Sequence, residues 1–130
     1  MATGQAAIDI DGSADEVWAI MGDFGGIGKW MPGIDSCEVV GQDRIVGVAG
    51  RSLTERLVAR DEERRQLVYS VIDGLPVEHH KVTITVTPGA ALTHVTWEAE
   101  VIPDMMIDMM IGTYNGALEV LKAKVEAAGS

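Results

Sequence analysis

Between residues 36 and 101, apolar and polar side chains alternate in short runs, and each run stops at a turn signal. A period of two marks strands with one buried face, whereas a helix repeats its apolar positions about every three to four residues. Six runs read this way: residues 36–40, 44–48, 53–59, 67–72, 78–86 and 93–101. The clearest places His80, Val82, Ile84 and Val86 on one face and Lys81, Thr83, Thr85 and Thr87 on the other. The last does the same with Val95, Trp97, Ala99 and Val101 against Thr96, Glu98 and Glu100. The breaks are Gly41-Gln42-Asp43, Ala49-Gly50-Arg51, a charged stretch at 61–65, Asp73-Gly74 and Pro88-Gly89. Such short connections suit antiparallel neighbours, because a parallel pair needs a crossover of about a dozen residues or more. The pattern predicts a meandering antiparallel sheet.

Helical signals flank the sheet. Residues 6–10 predict a first strand, and Ser13-x-x-Glu16 reads as a capping box opening a helix with Val17, Trp18, Ile20 and Met21 as its apolar face. Gly22, Gly25, Gly26 and Gly28 leave room for only a short second helix near 24–29, ended by Pro32-Gly33. At the other end Pro103-Asp104 predicts a helix to about residue 127, with Asp104 as N-cap. Its expected apolar face is Met106, Met109, Met110, Thr113, Ala117, Val120 and Leu121. Gly112 and Gly116 each cost about 1 kcal/mol in a helix relative to Ala, which suggests a close approach of backbone or ligand there. The order β-αα-β6-α defines an α+β chain with segregated elements.

Bulk properties narrow the function. A chain of 130 residues predicts one domain spanning 1–130, large enough for a core and a cavity. The net charge of −10 disfavours nucleic acid and anionic lipid headgroups as partners. The single Cys37 excludes an internal disulfide and a Cys-based zinc site, and its strand position reads as a small buried hydrophobe. No signal peptide or long apolar run is evident, so membrane insertion is not expected and the cytoplasm is the default location. His79 and His80 point to opposite faces of a strand and cannot share a metal, so no metal site is expected. No phosphate loop, nucleophile elbow or dinucleotide fingerprint occurs, so no cofactor is expected.

One ordered set of residues carries a family resemblance: Trp18, Trp30-Met31-Pro32, Glu55, Tyr69, Leu75-Pro76-Val77, Trp97 and a methionine-rich last helix. Over roughly residues 5–127 it resembles the START/Bet v 1-like polyketide cyclase/dehydrase and lipid transport proteins, the SRPBCC superfamily. The resemblance implies a helix-grip fold, a curved sheet of about seven strands wrapped around a long C-terminal helix with an apolar cavity between them. It puts Trp30 and Met31 at the cavity mouth and Met106, Met109, Met110 and Thr113 on the roof, with Trp97 on the sheet beneath. Arg44, Glu55, Tyr69 and His80 stand where the family's strands carry inward polar groups, His80 replacing a common Tyr. A buried Glu55 needs a cation or several donors, and Arg44 and His80 are the candidates.

Three functions follow as expectations. The leading one is binding of a hydrophobic small molecule of lipid, polyketide or isoprenoid type. The enzymatic alternative is an aldol-type cyclase or dehydratase with His80 or Glu55 as acid–base and Tyr69 or Arg44 stabilising an enolate. The third is a protein-interaction module whose core has collapsed on itself. A monomer or a homodimer would serve each.

Overall fold

The computed structural model describes residues 1–129. The strands are β1 (Ala2–Ile10), β2 (Ile34–Val40), β3 (Asp43–Val48), β4 (Arg51–Asp61), β5 (Gln66–Asp73), β6 (His79–Pro88) and β7 (Thr93–Ile102). They form one antiparallel sheet in the order β1-β7-β6-β5-β4-β3-β2. All six predicted runs are strands, and β1 begins earlier than its apolar core suggests. It pairs with β7 from Ala2↔Val101 to Ile10↔Thr93, so the ladder extends past the residues that alternate. Helix α1 (Ala14–Met21) and a 3-10 helix (Phe24–Lys29) fill the gap between β1 and β2, and α2 (Ile107–Ala128) closes the chain. This is the expected helix-grip architecture.

The faces follow the alternation. His80, Val82, Ile84 and Val86 are all buried, as are Val95, Trp97, Ala99 and Val101. Two β-bulges between β4 and β5 bend the sheet: the register skips Ile72 and then Val58. Both skipped residues are exposed apolar side chains, 46% and 62% respectively. Their position outside the ladder accounts for that exposure. At the β3–β4 turn, Ala49 and Gly50 both take positive φ, 51° and 78°, as a two-residue hairpin loop with the favoured twist requires.

Ser13 accepts from the Glu16 backbone N–H at 3.0 Å, which satisfies one free donor of α1. Its hydroxyl also donates to the Glu16 carboxylate at 3.1 Å, so the reciprocal bond of the box runs side chain to side chain.

Helix α2 is turned relative to expectation. Its buried stripe is Met110, Tyr114, Ala117, Leu118, Leu121 and Val125. Met109 is 63% exposed and Val120 39%, with Thr113 also exposed. The first turns carry apolar side chains on most sides, with Asp108 the one charged residue, so their methionines do not fix the rotation; Leu118 and Val125 do. Asp104 is not the N-cap. A 3-10 turn at Asp104–Met106 precedes α2, which starts without a side-chain cap, and the Asp104 carboxylate lies 3.1 Å from the Met1 amino group. Gly112 and Gly116 face open space, since a Cβ at either would meet nothing within 4 Å; no close approach requires them. Cys37 sits half-buried on the edge strand β2 rather than in the core, and partial burial pushes its thiol pKa up.

Candidate functional site

Between the concave face of the sheet and the first turns of α2 lies a cavity of about 470 Å³ with a predominantly apolar lining. Such a volume lies in the common range for small-molecule sites, about 300–1,000 Å³. Exposed residues at its edge mark the mouth: Pro32, Ala49 and Arg51 on the sheet side, Met109 and Thr113 on α2. Leu53, Val71 and Met110 contribute to the apolar walls. Apart from Arg51 and Thr113 at the mouth, the polar residues are Arg44, Glu55, Tyr69, His80 and Tyr114.

Strand register assembles the polar end. Arg44 on β3 and Glu55 on β4 are directly opposed cross-strand partners. Arg44 Nε donates to Glu55 Oε1 at 2.8 Å and Nη1 to the Phe24 carbonyl at 2.8 Å. The guanidinium carbon lies 4.0 Å from the Phe24 ring centroid and 4.7 Å from that of Tyr69. A cation over two aromatic rings and hydrogen-bonded to a carboxylate and a carbonyl has exchanged water for other electrostatic partners. Of the two candidate partners for Glu55, Arg44 is the one bound.

Tyr69 on β5 points inward with Leu67 and Val71, as their shared parity predicts. Its hydroxyl accepts from Trp97 Nε1 at 3.2 Å. Trp97 in turn stacks on Tyr114, with ring centroids 4.4 Å apart and planes 5° from parallel. Burial holds both phenols well above their usual pKa range, with the Glu55 charge reinforcing the shift.

His80 has a different task from the one its residue type suggests. The β5–β6 ladder runs only from Gln66↔Thr85 to Tyr69↔Val82. Beyond it the Val71 N–H donates to His80 Nδ1 at 3.0 Å, so an imidazole replaces the missing strand carbonyl. Ser70 Oγ donates to the His80 carbonyl and anchors the same crossing. An Nδ1 that accepts carries no proton, which puts the ring proton on Nε2. Among the described residues no acceptor meets Nε2. Among the described residues no buried side-chain nitrogen or oxygen lacks a partner, so Nε2 lies on accessible surface, and His80 lines the cavity. Burial, and secondarily the neighbouring His79, lowers the His80 pKa to about 4.

That shift predicts a pH effect. Between its ordinary value and about 4, unfolded chains bind a proton at His80 that the native state refuses, so stability falls as pH drops through this window. The His80 contribution to the loss is roughly 3 kcal/mol. Chemical denaturation of wild type and His80→Phe between pH 7 and pH 4 checks it: the variant should lose less on acidification by about that amount. Parallel curves would show that His80 is not held neutral by the fold.

Of the residues anticipated for ligand contact, Met31, Arg44, Glu55, Tyr69, His80, Met109, Met110 and Thr113 line the cavity. Trp30, Trp97 and Met106 do not. Trp97 is 1% exposed and backs Tyr69 and Tyr114 from beneath. Trp30 packs on Trp97, ring centroids 6.3 Å apart. Met106 lies in the 3-10 turn against the core. Leu53, Val71, Leu75 and Tyr114 were missed as lining residues. Leu53 shares the parity of Glu55, so alternation already turns it inward; Tyr114 lies on the buried stripe of α2, outside the apolar face expected for that helix.

Among the described residues no three His, Cys, Asp or Glu side chains are grouped to hold a metal ion. No described helix is long and apolar enough to cross a membrane.

Residues 1–126 match the model of the polyketide cyclase/dehydrase and lipid transport family, and the chain belongs to that family. Among solved structures it is similar to XoxI from Bacillus cereus, at 26% identity, covering 100% of this chain and 99% of that one with a TM-score of 0.91. A START superfamily protein from Mycobacterium smegmatis shares 18% identity over 97% of this chain and 98% of its own, with a TM-score of 0.78. Norcoclaurine synthase from Thalictrum shares 19% identity over 99% of this chain and 96% of its own, with a TM-score of 0.75. The last two likenesses establish the helix-grip fold. No curated protein matches the sequence.

Proposed function

We propose that this protein binds a hydrophobic small molecule, of lipid, polyketide or isoprenoid type, in the cavity between the sheet and α2. The observation that carries this reading is a cavity of about 470 Å³ with apolar walls and a polar group of Arg44, Glu55 and Tyr69 in its lining. Transfer of apolar ligand surface into it would contribute roughly 25 cal/mol per Å². Convergent polar groups in an apolar pocket serve to fix orientation. The family's combination of lipid transport and cyclisation is consistent with such a site.

Binding is favoured over cyclase or dehydratase turnover by the state of the two candidate bases. His80 Nδ1 is already occupied by the Val71 N–H, and its Nε2 carries the proton. Glu55 is tied to Arg44. A general base needs a free lone pair within reach of the proton it takes; His80 offers none without rearrangement, and the charge of Glu55 is committed to Arg44 through Oε1. The open space also weighs against an interaction module with a collapsed core.

A neutral fluorescent lipophile, Nile red, tests the reading. Wild type should bind it, and Met110→Trp, which fills the space beneath α2, should weaken binding more than about tenfold while leaving the circular dichroism spectrum unchanged. Met109→Trp at the exposed rim should have a smaller effect, about threefold or less, the cost of a perturbed contact rather than a filled pocket. Equal affinity in wild type and Met110→Trp would place the dye elsewhere and overturn the reading. Native mass spectrometry of freshly purified protein should show a co-purifying lipophile that denaturation releases.

A further inference from the structure

The inner end of the cavity is electrically balanced before any ligand arrives. Its one cation, Arg44, is 3% exposed and sits 2.8 Å from its one anion, Glu55. Tyr69 and Tyr114 are held protonated by burial. His80 is neutral, with its only free ring position an N–H donor. The remaining ionisable lining residue, Arg51, is exposed at the mouth. We propose that the preferred ligand is an uncharged lipophilic carbonyl compound whose oxygen accepts a hydrogen bond from His80 Nε2–H, and that carboxylates are rejected at this end. This rests on the reading of the cavity as a ligand site and names the chemistry of its occupant.

Two physical arguments carry it. First, the donor cannot become an acceptor cheaply. Moving the proton to Nδ1 would set it against the Val71 N–H, which has no ladder carbonyl to turn to. The site therefore selects for an oxygen with lone pairs and does not ask for a hydroxyl proton at this position. Second, a carboxylate taken into this cavity would lose its water and find the charge of the buried cation, Arg44, already compensated by Glu55. At the mouth it could reach Arg51, but an exposed ion pair adds little.

Displacement of Nile red from the full chain at pH 7.5 tests the proposal with three probes of matched length: 2-tridecanone, tridecane and dodecanoate. In wild type the ketone should bind roughly five- to tenfold tighter than the alkane, the gain expected of one well-placed hydrogen bond, and tighter than dodecanoate by at least as much. His80→Phe should erase the ketone's advantage over tridecane. His80→Gln, whose amide can accept from Val71 and donate into the cavity, should keep part of it. Dodecanoate binding as tightly as the ketone, or a ketone preference that survives His80→Phe, would overturn the proposal. If His80→Phe fails to fold, the wild-type ranking of ketone over dodecanoate and its partial retention in His80→Gln decide. Nile red binding with no ranking among the probes would reject the carbonyl site and leave the cavity reading standing. Failure of Nile red and all three probes to bind would overturn both.

Discussion

Arg44→Met should destabilise the protein by about 3–5 kcal/mol, because it leaves one member of a buried ion pair without its partner. Arg44 is 3% exposed and the Glu55 side chain 13%, so water cannot readily replace the lost guanidinium. The substitution also removes the donor to the Phe24 carbonyl and the cation lying between the Phe24 and Tyr69 rings. Pairing it with Glu55→Leu should recover much of the loss, since an apolar pair no longer contains an uncompensated charge. Urea denaturation of the two single variants and the double variant forms the required cycle. A single-variant loss below about 1 kcal/mol would mean that the pair is hydrated through the cavity and does not organise its inner end.

The second large effect belongs to α2. Leu121 is completely buried, and Leu121→Ala should cost about 2–5 kcal/mol, the sum of lost transfer energy and the void left behind. Val120, its neighbour in sequence, is 39% exposed, and Val120→Ala should change stability by about 0.5 kcal/mol or less. The contrast measures the rotation of the helix directly. A loss below about 0.5 kcal/mol at Leu121 would show that the sheet does not grip this face.

The sheet was legible because alternation is a local signal. Each strand announces its own inward face, and Arg44, Glu55, Tyr69 and His80 could be placed on inner faces without knowing what they touch. Their grouping needed the register: which residue opposes which depends on turn geometry and on the bulges at Val58 and Ile72, and one skipped residue changes every partner beyond it. The rotation of α2 was less legible. Ile107, Met109, Met110 and Ile111 spread apolar side chains over most of its start, where Asp108 is the one charged residue, so periodicity there has little preferred direction. The polar partner of His80 was invisible for a different reason. A backbone N–H has no residue type to betray it, and only the end of a ladder reveals that one is free. That partner is also what changes the chemistry of the residue, from a titrating group near neutral pH to a fixed donor.

The pairing of β1 has a consequence for how the molecule comes together. Five of the six strand contacts join successive strands, so they can form as hairpins soon after their residues are available. The sixth joins β1 to β7, Ala2 to Val101 and Ile10 to Thr93, across nearly the whole chain. Closing so long a loop is entropically opposed until the intervening hairpins have shortened it. During synthesis β1 therefore leaves the ribosome well before its pairing surface exists, and then waits as an unpaired strand. It is short on strongly apolar side chains: Ala2, Thr3, Gly4, Gln5, Ala6 and Ala7 precede Ile8. A waiting strand of that composition offers little to a neighbouring nascent chain, which limits its tendency to aggregate before β7 arrives.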